Sequence, residues 1–228
     1  MNILAIETSL GLSSVALILR RHTGGEEILA ERLPQGAQPA EHLVPLIGAI
    51  MARGGLAFSQ LDLIAVSVGP GGFSSIRTGV AAARAIGLAA KVPVAGATSF
   101  RVMAASMSKR HPGSAFGLAA PAGAQAAYCQ LIAEDGRSIT EIELVPAEEV
   151  GGFFEGRVDV LGGPPRLSFG QTISPLLPED MIDASPDATI LAEVASELDP
   201  STDRPSPFYV RSAGARPQVG GTIARKAE

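Results

Sequence analysis

The sequence predicts a two-lobed α/β protein with mixed sheets. Three observations carry that expectation. Short apolar strands alternate with helical patterns through the first 110 residues, which marks an α/β lobe. The second half opens, as the first does, on strand–turn–strand–turn–strand, so two lobes would be pseudo-symmetric halves. At 228 residues the chain is long enough to bury about 70% of its unfolded surface, and it needs no staple. The boundaries expected are a first lobe over 1–110, a diverged second lobe over 111–211 and a mobile tail over 212–228, with the break near His111-Pro112-Gly113.

In chain order, residues 2–7 (NILAIE) form an apolar strand ending on an acid. A turn rich in hydroxyls, Thr8 to Ser14, leads to a second strand over Val15 to Leu19. Hydroxyls, N–H groups and one carboxylate in such a turn can hold a phosphate and a hydrated magnesium ion. Glu7, Thr8 and Ser9 are therefore candidate nucleotide or phosphate residues, against the alternative of a plain polar turn. A third strand is expected over Glu27 to Leu33, after the His22-Thr23-Gly24-Gly25 turn. A helix then runs from about Pro39, with Leu43, Leu46, Ile47, Ile50 and Met51 on its apolar side and Gly54-Gly55 ending it; Pro45 should bend it or mark a late start.

The strand Leu63 to Val68 runs into Gly69-Pro70-Gly71-Gly72-Phe73-Ser74-Ser75-Ile76-Arg77, and Ser74 or Ser75 is expected to cap the helix that follows. This loop either presents N–H groups to an anion or simply turns a corner. In the helix, Gly79, Ala83 and Gly87 recur every fourth residue and so share one face. Glycine in a helix costs about 1 kcal/mol against alanine, so the stripe needs a close neighbour: the helix's own sheet, or a helix of another subunit. Arg77, a cation in a helix's first turn, is either a plain surface residue or reaches an acid or nucleotide phosphate at a subunit seam. A strand over Val92 to Ala95 and a helix capped by Thr98 or Ser99 and running to about Arg110 complete the lobe.

The second half reads as strands over Ala115 to Ala120, Gln125 to Ala133 and Ser138 to Leu144, a strand over Val158 to Leu161 and a helix near Ala188 to Leu198. The turn Pro121-Ala122-Gly123-Ala124 carries no acid.

Composition narrows the function classes. No apolar run reaches the roughly 18 residues of a membrane span, and Met1-Asn2-Ile3-Leu4 enters a strand without a basic leader, so a cytoplasmic protein without membrane contact is expected. Cys129 is the single cysteine and reads as a buried hydrophobe. A net charge of −5, no Trp and two Tyr argue against nucleic-acid binding by this chain alone. A metal site at His42 is rejected because the position one turn later is Leu46.

Ile3-Leu4-Ala5-Ile6-Glu7-Thr8-Ser9, Glu41-His42-Leu43, the run Gly69 to Gly79 and Pro207-Phe208-Tyr209-Val210-Arg211 together resemble the TsaB (YeaZ) family of tRNA threonylcarbamoyladenosine biosynthesis. The likeness is dense in the first half and scattered in the second. It implies the actin-like, sugar-kinase-like (ASKHA) fold and a non-catalytic subunit that supports a TsaD-like catalytic partner. It further implies a TsaE-like ATPase joining the pair, a homodimer when the chain is alone, tRNA met only through the complex, and possible binding of ATP or ADP with magnesium at the interface. On this reading Leu43, Ile47, Ile50, Arg77, Gly79, Val80, Ala83 and Gly87 form the partner interface. The family's Asp-Ala-Arg-like turn is replaced by Pro121-Ala122-Gly123, which weakens the alternative of an independent ASKHA-type ATPase or small-molecule kinase, as does the lack of a Gly-Lys-Ser/Thr loop. A metallopeptidase is disfavoured by the missing second histidine.

Overall fold

The computed structural model describes residues 1–20, 25–34 and 37–210, with the side chains of Arg166 and Leu167 left aside. The turn at 22–24, Arg211 and the expected tail 212–228 lie outside the described residues. Strands β1 (Ile3–Glu7), β2 (Ser14–Arg20) and β3 (Glu26–Arg32) form an antiparallel meander, and α1 (Pro39–Gly54) follows. Then come β4 (Leu63–Gly69), α2 (Phe73–Ala90), β5 (Val94–Thr98) and α3 (Ser99–Arg110). The sheet order is β3-β2-β1-β4-β5, with β1, β4 and β5 parallel. β1 and β4 are buried along their whole length, which is why they read as continuous apolar runs rather than alternating ones.

The second lobe repeats this plan. Strands β6 (Phe116–Pro121), β7 (Ala126–Ile132) and β8 (Glu143–Pro146) form a meander, followed by α4 (Val150–Phe154), β9 (Val160–Gly163), α5 (Gly170–Ile173) and β10 (Ile182–Asp183). The order β10-β9-β6-β7-β8 is the first sheet's order read from the opposite edge. Strand β8 starts later than the sequence suggests. Ser138 makes only one isolated bridge to Ile132, because side chains take over the pairing: Gln130 Nε2 donates to Ser138 Oγ and to Thr140 O, and Thr140 Oγ1 accepts from Leu131 N.

Alternation along β1 divides the core. Leu4 and Ile6 face Leu43, Ile47 and Ile50 of α1 and Ile76, Val80 and Ala83 of α2. Ile3 and Ala5 face the other way, onto Val102 of α3 and Leu191 and Ala192 of α6 (Ala188–Val194). Residues 188–198, expected within the second lobe, thus cover the back of the first sheet. Asp187 fixes them there: Oδ1 caps Thr189 N at 2.7 Å and Oδ2 accepts from Arg32 at 2.6 Å. Helix α3 joins the lobes, since Phe100, Met103 and Met107 pack with Phe116 and Leu118 of β6.

Three helix starts and one helix interior bear on the expectations. Helix α2 begins at Phe73 with Gly72 at its N-cap and no side-chain cap, so neither Ser74 nor Ser75 plays that part. Helix α1 begins at Pro39, continues through Pro45 and ends at Gly55 in the left-handed region, φ +63°. Thr98 does cap α3, accepting from Arg101 N at 3.1 Å. Thr98→Ala should lower stability by about 1 kcal/mol in urea unfolding.

Candidate functional site

Three of the segments that carry the likeness, within 3–9, 69–79 and 207–210, converge at the carboxyl ends of β1 and β4. The Glu7 carboxyl is fully buried, and its Oε1 accepts from Ser9 N at 2.6 Å and Ser9 Oγ at 2.5 Å. Ser9 O in turn accepts from Gly72 N at 2.7 Å, which seats the β4–α2 loop on the β1–β2 turn. That contact leaves no room for a side chain: a Cβ at Gly71 would lie 2.1 Å from Ser9 O. Thr8 Oγ1 donates to Ser75 O at 2.8 Å, and Ser99 Oγ donates to Pro70 O at 2.8 Å. The Gly69–Pro70 peptide bond is cis.

Residues 203–209 lie across this junction. Gly96 N donates to Asp203 O, and Phe208 N donates to Val68 O, both at 2.8 Å, so the segment covers the β5 edge and reaches the loop. It ends with the Tyr209 ring 5.7 Å from Phe73. Arg77 closes the cluster: its guanidinium carbon is 3.8 Å from the Phe73 centroid, and Nε donates to Tyr209 Oη at 3.0 Å.

A second feature lies on the outward side of α1 and α2. A groove of about 580 Å³ runs between them, lined by Val44, Phe58, Ala82, Ala85, Ile86 and Ala89 among others. Val44 is 64% exposed and Leu88 84%. Small and apolar residues recur here every fourth position, Ala40, Val44, Gly48 and Ala52 on α1 and Ala81, Ala85 and Ala89 on α2, all exposed.

A family model described as TsaD, tRNA N6-adenosine threonylcarbamoyltransferase, matches residues 33–145. The tRNA threonylcarbamoyladenosine biosynthesis protein TsaB of Haemophilus influenzae is 32% identical over 111 residues, which cover 49% of this chain and 45% of that protein. The tRNA N6-adenosine threonylcarbamoyltransferase of Moorella thermoacetica is 33% identical over 107 residues, covering 42% of this chain and 31% of that protein. The chain thus spans less than half the length of these curated relatives. In structure, YeaZ from Pseudomonas aeruginosa superposes with a TM-score of 0.71 at 22% identity, over 92% of this chain and 99% of that one. The chain is similar in sequence to TsaB proteins over about half its length, and in fold to YeaZ over nearly all of it. The YeaZ superposition agrees with the two-lobed α/β fold that the resemblance implied.

The residues expected at the partner seam divide sharply. Leu43, Ile47, Ile50, Gly79, Val80, Ala83 and Gly87 all face the chain's own sheet and are buried. The Gly79/Ala83/Gly87 stripe exists for that sheet, not for another subunit: a Cβ at Gly79 would lie 2.4 Å from Thr8 Oγ1, and one at Gly87 2.3 Å from Val94 Cγ2. Arg77 alone of the set is on the surface. The outward stripe was missed, although the same four-residue spacing of Ala81, Ala85 and Ala89 signals it.

Glu7, Thr8 and Ser9 are likewise fully buried, with their hydroxyls donating within the chain, so the expected phosphate pocket is here a closed joint. Among the described residues, Glu7 Oε2 and Ser67 Oγ are the buried side-chain polar atoms without a hydrogen-bond partner. Burial holds the Glu7 carboxyl above its ordinary pKa, with the Asp187 charge adding to the shift. The Ser9 donors and the neighbouring Ser67 hydroxyl oppose it. Ser67 was passed over in the sequence as part of an apolar strand. Cys129 is buried as expected, and burial raises its thiol pKa. His42 is exposed, 3.8 Å from Glu41. Among the described residues no helix is long and apolar enough to cross a membrane.

Two outcomes follow from these contacts. Gly79→Val should destabilise the isolated chain by about 1–3 kcal/mol in urea unfolding, because the added atoms meet Thr8 inside the core. The folded chain holds the Glu7 proton more tightly than the unfolded chain does. The stability this contributes is complete below about pH 4.3 and is lost as pH rises through the higher folded-state value. Thermal melting across pH 4 to 8 should show that loss, and Glu7→Gln, which keeps a neutral group in place, should flatten it.

Proposed function

We propose that the chain is the partner subunit of a tRNA threonylcarbamoyladenosine-forming complex, docking a TsaD-like catalytic subunit through the outward faces of α1 and α2. The observation that carries this reading is the groove between those helices, with Leu88 and Val44 standing exposed beside it and small residues along both helix faces. Small residues let a facing helix approach closely, so apolar contact and backbone packing act together there. The similarity of residues 33–145 to TsaD supports the choice of partner. A TsaD-like subunit carries counterparts of α1 and α2, and like pairs of helices can meet face to face. Two copies of this chain associate through the same face when no partner is present, and a TsaE-like ATPase joins the heterodimer.

Chemistry falls to the partner on this reading. Glu7 is sealed by Ser9, and the 121–124 turn has no acid to pair with it across the lobes. The chain then contributes a surface, and tRNA meets it only within the complex.

The test is light scattering on the purified chain mixed with the TsaD homologue of the same organism. A one-to-one complex is expected, and Ala85→Arg, which fills the groove from an exposed position, should weaken it at least about tenfold while leaving the melting temperature of the isolated chain unchanged. Full pairing by Ala85→Arg would move the docking face elsewhere.

A further inference from the structure

Helix α2 carries Arg77 and Arg84 and no acidic residue, in a chain whose net charge is −5. Four other arginines meet carboxylates: Arg32 with Asp187, Arg53 with Glu31, Arg101 with Glu197 and Asp203, and Arg137 with Asp135. Arg77 is instead held by an aromatic ring and a phenol, with no carboxylate on it. Arg84 has no ion-pair partner among the described residues. The two stand seven residues apart on one side of α2, about 10 Å along its axis. Between them is a groove of about 380 Å³ lined by Val80, Ala81 and Pro207.

We propose that this groove takes an acidic segment of the TsaD-like partner, with two carboxylates spaced to reach Arg77 and Arg84 and an apolar side chain between them. The inference rests on the docking through α1 and α2 and names the chemistry at its edge. Arg77 is oriented before the partner arrives, so less side-chain freedom is lost on binding. Arginine with Tyr209 and the 55%-exposed Phe73 is also the composition of an interface anchor. Single-stranded RNA fits less well. The Phe73 ring is covered by Arg77 on one side and abutted by Tyr209 at a 31° tilt, so a cation already occupies one of the faces on which a base would stack. The same cations disfavour a symmetric α2-on-α2 contact between two copies, which biases the chain towards the unlike partner.

The test measures affinity of the full chain for the TsaD-like subunit over a range of sodium chloride concentrations. Arg84→Glu should weaken binding at least about tenfold, Arg84→Gln by less, and the Arg77→Gln/Arg84→Gln pair should flatten the salt dependence seen with the wild type. Arg137→Glu, on the second lobe, should change nothing. Arg84→Glu is decisive because that exposed side chain has no polar partner among the described residues. Unchanged affinity in Arg84→Glu overturns the inference and leaves the docking intact. A wild-type chain that forms no complex overturns both. Unchanged subunit affinity with weakened tRNA binding by the complex assigns the arginines to RNA phosphates and also overturns the inference.

Discussion

One buried carboxyl group holds the first lobe's working end together. Glu7 takes both donors of Ser9, and Ser9 hands its own carbonyl to Gly72, so the end of β1 is joined to the loop that launches α2. Everything on α2 inherits its position from that joint. Phe73 and Arg77 are set where the 203–209 segment can lay Tyr209 against them, and the sheet-facing stripe of the helix is drawn down onto Thr8 and Val94. A buried acid is costly unless its lone pairs are met or its charge is removed. Here two donors meet one oxygen and burial favours the neutral form.

This joint also fills a place where a ligand could sit. In a two-lobed α/β fold the ends of β1 and β4 are a natural place for a ligand, and the glycine loop there has the flexibility to line one. The chain uses both for contact with itself. What is left to the solvent is the reverse side of the same helices, where apolar and small residues persist without a neighbour. A helix that is apolar on both faces has two surfaces to cover, and the sheet covers only one. The groove of α1 and α2 and the arginine cluster flank the same helix, so a partner seated on one is brought to the other.

The two lobes share a strand order but not an outer surface. In the second, Phe154, Phe169 and Ile173 close one face of the sheet, and α3 closes the other. Helix α6 crosses back to the first sheet, where Asp187 is bonded to Arg32 across 155 residues of sequence. The chain boundary between lobes therefore differs from the spatial one.

Much was decided by the sequence alone. The apolar strands, the glycine turns, the Thr98 cap and the repeated meander are local patterns, and each forms as its residues dictate. Spacing also established that something must come close to Gly79 and Gly87. What approaches them was not legible, because α2 has two stripes of small residues with one period, Gly79/Ala83/Gly87 and Ala81/Ala85/Ala89. Which of them meets the sheet depends on the angle at which the β4–α2 loop seats the helix, and that is fixed by Ser9 and Thr8, some 60 to 70 positions earlier in the chain. The closure of Glu7, the bond from Arg77 to Tyr209 and the return of α6 share that cause. Each is a contact between distant segments, and only the folded chain brings them within reach of each other.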